Sequence, residues 1–112
     1  MKYYYNLYLD DYTLEHKKEI IQKLENQKWQ FEIYLITLSK NEKNHLEIYN
    51  SALLLQNSME DKELLVVGIA RGYGDAVELV EMIIKEVYDN TKGTDIRDYI
   101  LKKQQLFEKG KR

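Results

Sequence analysis

With 112 residues, 44% of them hydrophobic and 32% charged, the chain is the size of one domain; two halves would each be too small for a useful core, and a disordered or fibrous polymer is excluded. It has no cysteine, which removes disulfides, thiolate metal sites and a cysteine nucleophile, and its two histidines, His16 and His45, are too few for a histidine-rich zinc centre. The net charge of −2 conceals an acidic body and a basic end: residues 1–98 carry 12 basic and 18 acidic side chains (−6), and residues 99–112 carry five and one (+4).

The opening MKYYYNLYLDDY lacks the apolar core and small-residue cleavage site of a secretory signal. No apolar run approaches the roughly 18 residues of a membrane span. A cytoplasmic protein without a membrane role is expected. Residues 3–9 are rich in strand formers, and strict alternation would put Tyr3, Tyr5, Leu7 and Leu9 on one face and Tyr4 and Tyr8 on the other. Asp10 and Asp11 end this strand. Thr13 is the expected N-cap of a first helix whose Ile20, Ile21 and Leu24 form one stripe, with Glu19 and Lys23 paired on its solvated face.

Residues 29–38, WQFEIYLITL, are apolar on both faces, as in a strand covered on both sides. The polar SKNEKN follows, and then HLEIYNSALLLQNSM, where Leu46, Tyr49 and Leu53 keep a helical spacing that points to a second helix over 45–57. LLVVGIA reads as a buried third strand. A long helix over 75–89 carries Ala76, Val80, Ile83 and Val87 on one stripe, and Thr94 caps a last helix with Ile96, Tyr99, Ile100 and Phe107 on one side.

The order β-α-β-α-β-α-α predicts an α/β fold with a small three-stranded, mainly parallel sheet and flanking helices. It forms one domain over 1–109, followed by a frayed basic end at 110–112. In such folds ligands sit beyond the carboxyl ends of the strands. That rule brings together Asp10 and Asp11 from the first strand, Thr37, Ser39 and Lys40 from the second, and Arg71, Gly72, Tyr73 and Gly74 from the third. Asp10 and Asp11 have the chemistry of a hard-cation site such as Mg²⁺, and Arg71 with Lys40 and the glycine loop that of an anion site.

The bland readings compete directly. Acids before a helix favour its N-terminus without any metal. The G-x-x-x-G-x-G spacing matches neither G-x-G-x-x-G nor the P-loop, no lysine follows it, and Asp75 occupies the helix start where an anion would sit. Gly68 then serves close packing, and Gly72 and Gly74 serve a sharp turn with positive φ. His45 and His16 read as surface or cap residues.

Five of the ten tyrosines lie within the first 12 residues, and Tyr3, Tyr4, Tyr5 and Tyr8 are candidates for a partner surface or for packing under a helix. An acidic body repels phosphate backbones, so nucleic acid is disfavoured except at the basic end, Lys102, Lys103, Lys109, Lys111 and Arg112. No cofactor is indicated beyond Mg²⁺ at the paired acids. The expected function is a non-enzymatic interaction module that self-associates as a homo-oligomer; the alternative is a ligand-binding or phosphoryl-handling protein using the strand-end rim.

Overall fold

The computed structural model describes residues 1–38, 46–56 and 64–110. Its strands are β1 (Lys2–Leu9), β2 (Ile33–Leu38), β3 (Leu46–Asn50) and β4 (Leu65–Arg71), and its helices are α1 (Asp11–Glu15), α2 (Lys17–Glu25), α3 (Ser51–Gln56), α4 (Tyr73–Thr91) and α5 (Ile96–Gly110). They form a mixed α/β fold around one four-stranded sheet in the order β1-β4-β2-β3. Helices α1, α2 and α3 lie on one face, over a core of Ile20, Leu24, Ile33, Leu35, Val66 and Ile69. Helices α4 and α5 lie on the other, over Tyr4, Ile36, Val67, Ile83 and Ile100. Among the described residues no helix is long and apolar enough to cross a membrane.

The sheet departs from expectation in strand number and direction. Only β1 and β4 run parallel, while β2 is antiparallel to both β4 and β3. The seven residues between Leu38 and Leu46 are too few for the crossover that a parallel pair requires, so β2 and β3 can pair only antiparallel. The helix expected over 45–57 is a strand followed by a helix. Asn50 makes the break: its Oδ1 accepts from Ala52 N at 3.0 Å and Leu53 N at 3.2 Å, the geometry of an N-cap. His45 and Asn57, at the two ends of that stretch, lie outside the described residues.

The first helix begins earlier than expected and is interrupted at His16. Asp10 is the N-cap, and Thr13 is its reciprocal partner three residues on, so the pair forms a capping box. In the last helix the cap is Asp95, which accepts from Asp98 N at 3.0 Å, and not Thr94. Strand β2 starts at Ile33, leaving Trp29 and Phe31 in the loop before it. Its buried residues face both cores, as a covered central strand requires.

Alternation also fails in β1. Between the pairs Tyr3↔Val66 and Tyr8↔Gly68, β1 advances five residues while β4 advances two. This bulge detaches Tyr5 from the face of Tyr3 and stacks it on Phe107 of α5 at 4.5 Å. Gly68 lies opposite the bulge. A Cβ there would meet the Tyr8 carbonyl oxygen and Ile36 Cδ1, both at 3.1 Å, so close backbone approach is the reason for this glycine.

Candidate functional site

The carboxyl ends of β1 and β4 meet where the sheet rule places a site, and Asp10 stands at their junction. Its Oδ1 accepts from Thr13 N at 2.8 Å and lies 2.8 Å from Thr13 Oγ1, and its Oδ2 accepts from Arg71 N at 2.8 Å. Thr13 is fully buried, and its hydroxyl also reaches the Ile69 carbonyl at 2.8 Å. Burial raises the Asp10 pKa, but the N–H groups of Thr13 and Arg71, with the Thr13 hydroxyl and Asp75, outweigh it and hold the carboxyl below its usual range. Asp75, in the first turn of α4, is pushed the other way. The chief cause is its hydrogen bond with Asp10, and the negative charges of Asp10, Glu78 and Asp11 add to it.

Arg71 turns its backbone, not its guanidinium, to Asp10. The guanidinium lies 4.3 Å from the centroid of the Tyr12 ring, and its Nε is 3.4 Å from Glu32 Oε2. Tyr12 also stacks on His16 at 4.2 Å, and His16 Nδ1 is 2.9 Å from the Tyr12 carbonyl. Gly72 has φ +94°, which only glycine adopts without strain, and its N–H donates to Glu32 O at 2.8 Å. Gly74 does not have positive φ; it is an ordinary member of the first turn of α4, as Tyr73 is. Leu9, Asp10, Asp11, Tyr12, Arg71, Asp75, Glu78, Leu79 and Met82 line an open cleft of about 550 Å³.

The rim differs in composition from the sequence expectation because β2 is reversed. Leu38, the last residue of β2, pairs with Leu65 at the far end of the sheet from Arg71, and Thr37 beside it is fully buried. Ser39 and Lys40 lie outside the described residues. It is the start of β2 that reaches the rim, bringing Glu32 to Arg71. Asp11 is exposed in the first turn of α1, and among the described residues no group of three or more His, Cys, Asp or Glu is arranged to hold a metal ion.

A second feature of this end of the sheet is the loop Trp29–Glu32. Trp29 and Phe31 are 55% and 67% exposed and meet edge to face at 5.9 Å. The backbone beneath them is fastened at three successive carbonyls. Gln30 O accepts from Ser51 Oγ at 2.8 Å, Phe31 O from Asn50 Nδ2 at 2.8 Å, and Glu32 O from Gly72 N at 2.8 Å. Beside the pair, Tyr12, Glu19, Ile20, Lys23 and Glu32 border a second open cleft of about 340 Å³. Sequence reading missed this site by assigning both rings to a covered strand; the signal that could have found it is the polar Gln30 and Glu32 beside the two rings.

The four tyrosines do not share one surface. Tyr4 is buried, 2% exposed, with its ring stacked 6.2 Å from Tyr8. Tyr8 OH and Tyr99 OH donate to the same Glu86 Oε2, at 2.7 and 2.9 Å, joining β1, α4 and α5. Burial, then the bond to Glu86, raises both phenols, Tyr99 to about 12. Tyr3 is half-buried on the α1–α2 side, its phenol pushed up to about 12 by burial and by Glu25. Tyr5 is the most exposed of the four; its N–H donates to Gln104 Oε1 at 2.9 Å, so α5 closes the outer edge of β1 there.

Comparison with protein-family models, with curated proteins and with solved structures finds no match.

Proposed function

We propose that the chain is a non-enzymatic interaction module that self-associates and that also presents the Trp29–Phe31 loop to a protein partner. The observation that carries the partner surface is the fixed backbone under the two exposed rings. A large exposed aromatic pair is costly to leave in water, and here three carbonyl hydrogen bonds hold it outward. A preorganised aromatic anchor loses little conformational entropy on binding, which is the property of interface hot spots. Glu19, Lys23, Glu32 and Arg71 around it carry both signs, a rim suited to polar contacts with protein and unsuited to a polyanion.

Trp29 is the sole tryptophan, so its emission reports directly on this surface. Binding should shift it to shorter wavelength as the indole leaves water. The double variant Trp29→Ala/Phe31→Ala should keep the wild-type melting temperature and lose proteins that wild type retains in a parallel affinity capture. Identical or empty captures for the two proteins would refute the partner surface. The self-association is tested separately by solution mass.

A second reading, a ligand site on the Asp10–Arg71 rim, is favoured by the 550 Å³ cleft at the strand ends. Four carboxylates line it and its one arginine is engaged by Glu32 and Tyr12, so its charge favours a cation over an anion, although among the described residues no three such groups are arranged to chelate one. Titration with Mg²⁺ or Mn²⁺ should then move the amide resonances of residues 9–13 and 71–78; unmoved resonances would remove this reading.

A further inference from the structure

Helix α4 carries two apolar stripes, one buried by the fold and one that touches the core through Val80 but is otherwise largely exposed. Ala76, Leu79, Ile83 and Val87 are buried against the sheet. Rotated by about a quarter turn from them at 100° per residue, Tyr73, Val77, Val80 and Ile84 follow a coiled-coil spacing, with Tyr88 one turn beyond. Val77 and Val80 are half-buried, while Tyr73, Ile84 and Tyr88 are 59%, 43% and 52% exposed. The apolar surface continues onto the sheet, where Tyr34 meets Tyr73 edge to face at 5.9 Å and Ile48 of β3 is half-buried on the same side.

Resting on the proposed self-association, we infer that this second stripe is the homotypic interface, with α4 of one copy packed antiparallel on α4 of another about a two-fold axis level with Ile83. The flanking charges select a second copy as the occupant. Exposed Glu81 and Lys85 lie on the solvent side of the stripe, four residues apart and on either side of that axis. An antiparallel two-fold therefore sets Glu81 of each copy opposite Lys85 of the other, and the surface is complementary to itself. Lys85 holds Asp89 in the single chain at 2.9 Å, an exposed pair that is readily re-partnered.

Solution mass over a dilution series from micromolar to millimolar tests the interface. One chain is 13.5 kDa, and wild type should reach twice that mass. Ile84→Glu should hold the mass of one chain with an unchanged circular-dichroism spectrum. Glu81→Lys and Lys85→Glu should each raise the dissociation constant about tenfold, because the two-fold repeats each change, and the double exchange should restore it. A wild-type dimer unmoved by Ile84→Glu and by both single reversals overturns the α4 interface and leaves self-association standing. A wild type that keeps the mass of one chain at millimolar concentration overturns both. Should Ile84→Glu fail to fold, the charge series decides: reversals without effect, or without rescue by the double exchange, refute the interface.

Discussion

Two carboxylates organise opposite parts of this molecule, and they do so with different donors. Asp10, at the end of β1, receives backbone N–H groups from Thr13 and from Arg71, 61 residues away, and so ties the start of α1 to the end of β4. Glu86, on α4, receives two phenol hydroxyls from Tyr8 and Tyr99 and ties β1 to α5. A backbone N–H has no freedom to seek another acceptor, whereas a phenol hydroxyl can rotate toward water. An acid holding backbone therefore matters more to the fold than an acid holding side chains.

The largest effect should come from Asp10→Ala, which removes the N-cap and the Arg71 contact together; urea denaturation should show a loss of about 2–3 kcal/mol. Glu86→Ala should cost less, about 1–2 kcal/mol by the same measurement, since its two donors can turn to solvent. Equal losses for the two variants would break the distinction between them.

The pH dependences should have opposite signs. Tyr8 and Tyr99 have raised pKa values in the fold, so their contribution is complete below the ordinary phenol value of 10.0 and is lost as pH rises past it toward the folded value, about 12 for Tyr99. Phenolate absorbance should therefore show these rings protonated after exposed tyrosines have ionised, and Glu86→Gln should bring them forward. Asp10 is depressed, so its contribution is present above the ordinary carboxylate value of 3.8 and is lost as pH falls through its lower folded value.

The smallest effect belongs to Asp75. Its raised pKa means that its charge opposes the fold at neutral pH. Asp75→Asn should thus raise the melting temperature slightly at neutral pH, and the gain should vanish as acid protonates the wild-type carboxyl. A gain that grows on acidification would contradict the Asp10–Asp75 contact.

Much of the rim was legible in the sequence because strand ends are local features. Asp10, Asp11, Arg71 and Gly72 follow directly from where the apolar runs stop, and their convergence follows from the parallel pairing of β1 and β4. What each residue does there was not legible. Nothing in the spacing distinguishes an Arg71 that offers its guanidinium from one that offers its N–H. The stretch 46–56 misleads for a physical reason: Leu46, Tyr49 and Leu53 keep helical spacing across a strand–helix boundary that only the Asn50 cap reveals. Trp29 and Phe31 read as strand residues because aromatic content alone does not tell a buried ring from a displayed one.

The sequence by itself determined the alternation of apolar periods, hence the α/β class, the amphipathic α4 and the positions where β1, β2 and β4 stop, because each depends on residues a few places apart. Tertiary structure decided the rest. The antiparallel pairing of β2 with β4, which lies between β1 and β2, removed the end of β2 from the rim and brought Glu32 to Arg71 in its place. Strand direction and order are set by which distant apolar faces cover one another, and the polarity of a strand leaves no mark in its own residues.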